Sequence, residues 1–217
     1  ETHLHQNVLS ILKGLPYEAT QRFAGRLLVK LSPESPVEEI CRRLRMVFGI
    51  ANFAVAADLA ADMDAIRAGL SELIPTVSFS SFKIDARRGT KDFPLDSQQL
   101  NQQLGGFVQD LTRAAVRMEN PEAVFYVEIV SNRAFLYLSK IPGAGGLPSG
   151  TGGKALCLIS GGIDSPVAAY RMMRRGCRVF YIHFHSYPDT TVESQEKVRR
   201  LLQILARYQM ESHLYMI

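Results

Sequence analysis

The sequence contains no tryptophan and only three cysteines, Cys41, Cys157 and Cys177. They are odd in number and far apart and form no Cys-x-x-Cys pair, which excludes a disulfide framework and a metal or redox site of that type. We therefore expect reduced, buried thiols in a cytoplasmic protein. No segment approaches the ~18 uninterrupted apolar residues of a membrane span, and no secretory pattern opens the chain, so we expect no membrane partner.

The charge is modest, at +4, and it is unevenly placed. From Leu147 to the end, nine basic side chains stand against five acidic ones, so this last third carries the whole excess. A polyanionic partner and a set of solvated helix faces both explain such a bias. The 47% hydrophobic and 21% charged residues are ordinary for globular domains, which excludes a disordered chain.

The hydrophobic pattern of the first part of the chain predicts an α+β fold in two units. The unit of residues 1–60 indicates the order helix, two strands, helix, strand. The first helix ends near Gly14, the alternating residues 23–31 indicate a strand, the second helix begins at Pro36, and residues 50–57 close the unit as a strand. A small α+β sandwich without its first strand has this order. Because the chain begins with glutamate, we expect its true N-terminus to be missing.

The second unit is predicted over residues 61–146. It begins with a helix over 62–74 and a strand over 78–87. Asp96 can cap the next helix, because Gln99 follows three positions later as in a capping box. Two more strands complete the unit. The buried face of the capped helix is expected to comprise Leu100, Leu104, Phe107, Leu111 and Met118.

A segment rich in glycine and proline over 141–153 marks the clearest boundary, and its composition predicts a loop or linker. After it, residues 147–217 alternate between strand and helix, with the first strand over 155–159 and the first helix beginning at Pro166. This alternation predicts an α/β domain with a parallel, doubly wound sheet. Since only two and a half strand–helix units are present, we expect the domain to be truncated at its C-terminus.

Three phosphate-binding patterns compete in this region. A Walker A loop is excluded, because Pro148 and Ala155 stand where it needs glycine and a hydroxyl residue. Residues 150–155 fit Gly-x-Gly-x-x-Ala, but they precede the first strand instead of joining a strand to a helix, where a pyrophosphate would bind. The third pattern, Ser-Gly-Gly-Ile-Asp-Ser over 160–165, directly follows a strand and precedes a helix.

The residue types of this third pattern suit a phosphate. Gly161 and Gly162 allow backbone N–H groups to approach phosphate oxygens, and Ser160 and Ser165 add hydroxyl donors. The following helix N-terminus favours an anion. Asp164 would repel phosphate unless a cation intervenes, which points to Mg²⁺ between them. The alternative is a simple turn in which the glycines make the bend and Ser165 caps the helix.

The Ser-Gly-Gly-Ile-Asp-Ser string resembles the PP-loop signature of ATP pyrophosphatases, which cleave ATP to AMP and pyrophosphate while adenylating a substrate. That family usually has Ser or Thr where this chain has Pro166. The longer string over 160–168 is similar to the tRNA 4-thiouridine synthetases, the ThiI family, as are residues 145–150, 172–176 and 183–188. The upstream units resemble its ferredoxin-like domain and its THUMP domain, an RNA-binding module.

The resemblance implies an ATP site at the carboxyl ends of neighbouring strands, where open α/β sheets bind ligands. It implies Asp164 and Ser165 as catalytic residues, with Asp164 holding Mg²⁺ indirectly through the phosphates. His183 and His185 alternate to one face of a strand, so a metal site and a structural role stay open beside a nucleotide contact. The implied ATP-binding residues are Leu158, Ile159, Ser160, Gly161, Gly162, Asp164, Ser165, His183 and Phe184.

The reaction that the resemblance implies is ATP-dependent sulfur transfer to tRNA. ATP adenylates the C4 oxygen of a uridine, and a persulfide sulfur supplied by a cysteine desulfurase displaces AMP to give 4-thiouridine. The family's sulfur-transferring cysteines lie downstream of the PP-loop and match none of the three in this chain, so we expect the fragment alone to be inactive. A homodimer and a sulfur-carrier role in thiamine biosynthesis are implied as well.

A cluster of basic residues near the end of the strand predicted over 78–87 suits contacts to RNA phosphates, which position an RNA without reading its sequence. A solvated loop is the alternative interpretation of this cluster, and core packing is the ordinary role for the phenylalanines interleaved with it. Two other functions stay open: an RNA-binding module with a non-catalytic nucleotide domain, and a PP-loop synthetase acting on a small acid. The predicted RNA-binding residues are Lys83, Arg87, Arg88 and Lys91.

Overall fold

The computed structural model describes residues 2–89, 92–185, 192–209 and 211–217. The chain divides into two compact units, of which one combines Glu1–Phe53 with Ile141–Ile217 and the other is Ala54–Lys140. The three-domain boundaries expected from the sequence stay a prediction. None of the helices in the described ranges has the length and apolar character that a bilayer crossing requires.

The first part of the combined unit contains two helices and a hairpin. The strand predicted over 23–31 is wrong in its start, because Ala24 and Gly25 have positive φ and form the turn between two strands. The helices pack on a small apolar core that includes Val8, Leu12 and Ile40. The elements are α1 (Thr2–Ile11), β1 (Ala19–Phe23), β2 (Arg26–Lys30), α2 (Val37–Leu44) and β3 (Asn52–Phe53).

The unit of residues 54–140 is a five-stranded mixed sheet with two long helices. Its strand order is β4-β8-β7-β5-β6; β5 is parallel to β6 and β7, and the other pairs are antiparallel. A short 3₁₀ turn follows α3. The elements are β4 (Ala57–Ala60), α3 (Met63–Leu73), β5 (Ser81–Arg88), α4 (Ser97–Thr112), β6 (Ala115–Val116), β7 (Ala123–Val130) and β8 (Arg133–Tyr137).

Local interactions set both ends of α4. The predicted capping box is confirmed: the Asp96 carboxylate accepts from the Gln99 N–H at 2.8 Å, and the Gln99 side chain accepts from the Asp96 N–H at 2.9 Å. The helix ends at Thr112 because Arg113 takes the left-handed conformation. The expected burial of Leu111 and Met118 is wrong. Met118 lies beyond the helix, and both side chains are exposed, whereas the expected burial of Leu100 and Leu104 is confirmed.

The second part of the combined unit contains the predicted parallel sheet, with strand order β10-β11-β12. The single strand predicted over 50–57 is replaced by two strands. β3 pairs with β9, whereas β4 pairs with β8 and belongs to the unit of residues 54–140. The Phe48 ring enters the core beside β11, where it contacts Tyr170 edge to face and stacks on Tyr208. The elements are β9 (Ile141–Pro142), β10 (Lys154–Leu158), α5 (Asp164–Arg174), β11 (Arg178–His183), α6 (Val192–Gln209) and β12 (Leu214–Met216).

The glycine-rich segment before β10 is held against the end of α5. The Leu147 N–H donates to the Arg174 carbonyl at 2.9 Å, and the N–H groups of Gly150 and Gly152 donate to the Gly176 carbonyl at 2.8 and 2.9 Å. Gly146 has a φ of 72°, and a β-carbon there would overlap the Arg174 carbonyl oxygen. The segment predicted as a loop or linker is therefore a loop fixed by backbone hydrogen bonds.

Candidate functional site

The Ser160–Ser165 loop begins at the carboxyl edge of the parallel sheet. Leu158 ends β10 opposite Ile182 of β11, and the N–H of Ile159 continues the ladder by donating to the Ile182 carbonyl at 2.9 Å. Leu158 is exposed and Ile159 is buried, as the alternation along a strand requires. The loop thus leaves the sheet where open α/β sheets bind their ligands.

Serine side chains close this loop on itself. The Ser160 N–H donates to Ser165 Oγ at 3.0 Å, and the two hydroxyl oxygens are 3.2 Å apart. The Gly162 N–H lies 3.4 Å from Ser160 Oγ. Ser165 does not cap the helix as the simple-turn interpretation expects, because α5 begins at Asp164 and its N-cap residue Ile163 provides no side-chain cap. Ser165 joins the loop ends, and the helix N-terminus stays open.

The open N-terminus provides donors for an anion. Among the described residues, no partner accepts a hydrogen bond from the N–H groups of Gly161 and Ile163. Pro166 is the third residue of α5 instead of the first, and there too it interrupts no intrahelical bond. These donors lie at the positive end of the helix dipole. Neither Gly161 nor Gly162 has a positive φ, so the backbone conformation does not require glycine at these positions. What the two glycines contribute is the space left by their missing side chains.

The Asp164 carboxylate is exposed at the first position of α5 and forms no ion pair with any residue that the structure describes. In the same described ranges, no three metal-binding side chains come together. A Mg²⁺ ion at Asp164 would therefore take most of its oxygen ligands from phosphate groups and water, which is how this ion is commonly bound. The residues present fit that arrangement, since an isolated carboxylate adjoins a loop whose N–H groups of Gly161 and Ile163 have no acceptor among the described residues.

His183 is buried at the end of β11, where its ring is fixed by the loop. Its Nδ1 lies 2.8 Å from the Ile159 carbonyl, which can only accept, so Nδ1 carries the proton and a neutral ring leaves Nε2 as an acceptor. This Nε2 is buried without a hydrogen-bond partner within the described part of the chain. The His185 ring lies parallel to it with centroids 6.4 Å apart. The metal-site alternative lacks a third ligand among these residues.

The other predicted nucleotide contact on β11 behaves differently. Phe184 follows the strand and is 59% exposed, so a large apolar ring lies open beside the buried His183. Together with the exposed Leu158 on β10, it offers an apolar surface at the same edge of the sheet. An adenine ring is the kind of flat group that such side chains bind. The assignment of these residues to ATP stays a prediction.

Two residues of α6 border the loop and escaped the sequence reasoning. A β-carbon built on Gly161 would lie 3.4 Å from Lys197 Cδ and 4.0 Å from Ser194 Oγ. The helix that carries them is anchored by Val198, which is fully buried. The sequence offered only a weak signal, because a lysine in the first half of a polar helix is ordinarily a solvated side chain.

The predicted RNA-binding cluster is only partly free. The Arg87 guanidinium pairs with Asp85 at 3.3 Å, and the Arg88 guanidinium donates to the Phe93 carbonyl at 2.9 Å. Lys83 has no ion-pair partner within the described ranges, while Lys91 lies outside them. The phenylalanines that accompany this cluster are core residues, as expected: Phe79 and Phe82 contact the buried Phe125 ring edge to face, and Phe93 is buried.

A second basic surface lies at the end of α5. Arg171, Arg174 and Arg175 are exposed and line a cleft of about 670 Å³ together with Leu147 and Met172. No ion pair of these three arginines is found among the described residues. Part of the charge excess of the last third of the chain is therefore concentrated at one place.

The three thiols are not set up for nucleophilic chemistry. Burial raises the pKa of Cys157 and the pKa of Cys41 above their usual range, which keeps both thiols protonated at neutral pH. Cys177 is buried and its Sγ donates to the Gly152 carbonyl at 3.3 Å. Packing is the role that the structure gives them.

Three family models match consecutive parts of the chain. The ThiI ferredoxin-like domain matches residues 1–54, the THUMP domain matches residues 60–139, and the model described as thiamine biosynthesis protein (ThiI) matches residues 150–217. Among curated relatives, the probable tRNA sulfurtransferase of Thermus thermophilus is 39% identical over 97% of this chain and 52% of its own length. That of Moorella thermoacetica is 40% identical over 96% and 53%. The chain thus spans about half the length of these relatives.

Two solved structures are similar over the whole chain. A crystal structure of a protein from Pyrococcus horikoshii has a TM-score of 0.89 at 29% identity and is covered over 71% of its length. A 4-thiouridine synthetase in complex with RNA and bound ATP has a TM-score of 0.84 at 27% identity and is covered over 56%. Both cover 100% of this chain, so the predicted combination of an α+β front part with a parallel α/β sheet is confirmed.

Proposed function

We propose that this chain, which belongs to the ThiI family, is part of an ATP-dependent tRNA sulfurtransferase that converts a uridine of tRNA to 4-thiouridine. The observation that carries the proposal is the Ser160–Ser165 loop, closed by its serines at the carboxyl edge of a parallel sheet with an open helix N-terminus behind it. The similar structure described as a 4-thiouridine synthetase with RNA and ATP supports the same ligands here.

In this proposal the loop binds the phosphates of ATP. The free N–H groups of Gly161 and Ile163, with those of the first turn of α5, face an anion that the helix dipole also favours. Ser160 and Ser165 fix the loop through their mutual hydrogen bonds, so little ordering is needed when the nucleotide binds. Bound Mg²⁺, held through phosphate oxygens near Asp164, would neutralise charge that develops on the leaving pyrophosphate.

The adenosine end would be recognised by the neighbouring strand ends. The orientation of the His183 ring is fixed by the Ile159 carbonyl, and its other ring nitrogen, Nε2, is the atom that would meet the base. The exposed Phe184 and Leu158 supply apolar area for the base. A fixed ring nitrogen beside an apolar surface suits a purine base.

The chemistry proposed has three displacements. The C4 oxygen of the uridine attacks the α-phosphorus, the bond between the α-phosphorus and the bridging oxygen breaks, and pyrophosphate leaves. A persulfide sulfur then attacks C4, the carbon–oxygen bond breaks, and AMP leaves with the oxygen. A second thiol of the whole protein attacks the cysteine sulfur of this adduct, the sulfur–sulfur bond breaks, and 4-thiouridine leaves while the two cysteines form a disulfide, which a thiol reductant opens again. Because Cys41 and Cys157 are only partly accessible and Cys177 is buried with its Sγ bonded to the Gly152 carbonyl, we propose that the sulfur-bearing cysteine lies elsewhere in the whole protein, with a cysteine desulfurase as the sulfur source.

We propose that tRNA contacts both units through its phosphates. The unit of residues 54–140 matches an RNA-binding type of domain and carries Lys83, Arg87, Arg88 and Lys91. Of these, Arg87 and Arg88 already bind partners within the unit, so the exposed arginines at the end of α5 are the stronger candidates. Contacts of this kind position a nucleic acid without reading its sequence.

The experiment that tests the proposal uses the full-length gene product with tRNA, ATP and a persulfide donor. Asp164→Ala should lower the rate of 4-thiouridine formation on the order of 100-fold, because a transition-state charge loses its stabilisation. Asp110→Ala, which removes an equally exposed carboxylate from α4, serves as the matched control and should leave the rate unchanged. Full activity in Asp164→Ala would contradict the proposal, and tRNA binding without ATP binding would favour an RNA-binding module.

Three wider proposals follow from the family. We propose that the whole protein is a cytoplasmic homodimer and that it also supplies sulfur for thiamine biosynthesis, as the family description suggests. Sedimentation of the full-length protein should give twice the mass of one chain. A strain without the gene should need added thiamine and should lack 4-thiouridine in its tRNA. Growth of that strain without thiamine would exclude the role in thiamine biosynthesis and would leave the role in tRNA modification.

A further inference from the structure

Lys197 of α6 lies beside the phosphate-binding loop. Its Cδ would be 3.4 Å from a β-carbon on Gly161, so the lysine stem occupies the space next to the loop backbone. The position is set by the helix and not by the lysine alone, because the adjacent Val198 is fully buried and Leu202 and Leu205 anchor the next turns. The ammonium group of a lysine lies two bonds beyond Cδ and can rotate about the flexible stem.

The charge of Lys197 is not used within the described part of the chain. No carboxylate there forms an ion pair with it, although Arg200, three positions further along the same helix, pairs with Glu196 at 3.0 Å. An exposed lysine without a partner is ordinarily a solvated group. Two features distinguish Lys197: its Cδ lies 3.4 Å from the position that a β-carbon on Gly161 would occupy, and the same loop leads to a carboxylate, Asp164, that a bound polyphosphate must tolerate.

We propose that Lys197 binds the pyrophosphate portion of ATP and stabilises it as a leaving group. This inference rests on the proposed function and adds to it a residue outside the Ser160–Ser165 loop. When the bond between the α-phosphorus and the bridging oxygen breaks, the electron pair stays on the pyrophosphate, and the ammonium of Lys197 neutralises part of that charge. The lysine keeps its proton throughout, so no proton transfer is needed.

The location beside Gly161 makes the proposal specific to one part of the nucleotide. The loop glycines lie at the phosphate end, whereas His183 and Phe184 at the end of β11 are assigned to the adenosine end. Lys197 should therefore affect ligands that contain the β- and γ-phosphates and leave AMP unaffected. A residue that merely supports the fold would weaken all three ligands alike.

The test is calorimetric titration of the full-length protein with ATP, inorganic pyrophosphate and AMP. In Lys197→Gln, ATP and pyrophosphate should bind about tenfold or more weakly, which is what the loss of one charge-assisted hydrogen bond costs. AMP binding should not change, and Lys197→Arg should recover most of the loss. Arg200→Gln, with the same loss of charge on the same helix, is the control and should bind all three ligands normally.

Equal loss of all three ligands in Lys197→Gln, or no loss of any, would overturn the assignment. The proposed function is tested separately, by 4-thiouridine formation in the wild-type protein. A wild-type protein that binds ATP and pyrophosphate but modifies no tRNA would contradict the function, while the titrations would still decide the role of Lys197. A wild-type protein that binds neither ligand would overturn both.

Discussion

Phe48→Ala should destabilise the parallel-sheet part of the chain, although Phe48 lies in the first part of the sequence. Its ring is 1% exposed and contacts Tyr170 of α5 and Tyr208 of α6 with centroids 5.3 and 5.5 Å apart. Removing a buried phenylalanine costs about 3–5 kcal/mol, and the two ring contacts favour the upper half of this range. For a unit of this size, the melting temperature should fall on the order of 10 °C.

The measurement is differential scanning calorimetry of the 217-residue chain. The transition of the combined unit should shift in Phe48→Ala, whereas the unit of residues 54–140 should melt as in the wild type. Leu111→Ala, which shortens a side chain that is 54% exposed on α4, is the control and should change neither transition. If Phe48→Ala melts like the wild type, then residues 1–53 do not complete the core of the parallel sheet. The same conclusion follows if the only transition that moves is a small one separate from that of the parallel sheet.

Three smaller perturbations test local features by chemical denaturation. Gln209→Leu should cost about 2–3 kcal/mol, because the buried amide bonds both the N–H and the carbonyl of Val179, at 2.6 and 2.7 Å, and leucine would leave both groups unsatisfied. Asp96→Ala should cost about 1 kcal/mol through the lost helix cap. The hydrogen bond from Arg42 lowers the pKa of Glu39 to about 2, below its usual value of 4.5. This carboxylate therefore stabilises the fold above pH 4.5 and loses that contribution as the pH falls towards 2, so Glu39→Gln should be less stable than the wild type at neutral pH and equally stable near pH 2. An unchanged acid limb in Glu39→Gln, or unchanged stability in either other variant, would contradict the corresponding contact.

Local signals in the sequence predicted the parts of the fold that local interactions decide. The capping box of α4 was predictable because Asp96 and Gln99 interact across one helical turn. The end of the same helix was not, because Arg113 stops it in a conformation that is uncommon for a residue other than glycine, and the apolar spacing runs on to Met118. The placement of Phe48 depends on contacts with residues more than a hundred positions away, which no local pattern contains.

The candidate site, too, was predictable only where its features depend on residues adjacent in sequence. The position of the Ser-Gly-Gly-Ile-Asp-Ser segment between a strand and a helix was predictable, since both elements are adjacent to it in sequence. The role of Ser165 could not be predicted from the sequence, because a serine at this position suits a helix cap as well as a hydrogen bond across the loop. Lys197 was missed because only the packing of α6 brings it to Gly161.

The most direct test of the central claim is the product balance of the reaction. The full-length protein is incubated with tRNA, a persulfide donor and ATP labelled in the α- and γ-phosphates, and AMP, pyrophosphate and 4-thiouridine are quantified. Adenylation at the Ser160–Ser165 loop predicts equal amounts of the three products and no turnover without tRNA. Formation of ADP and phosphate, or AMP release that does not depend on tRNA, would contradict the account.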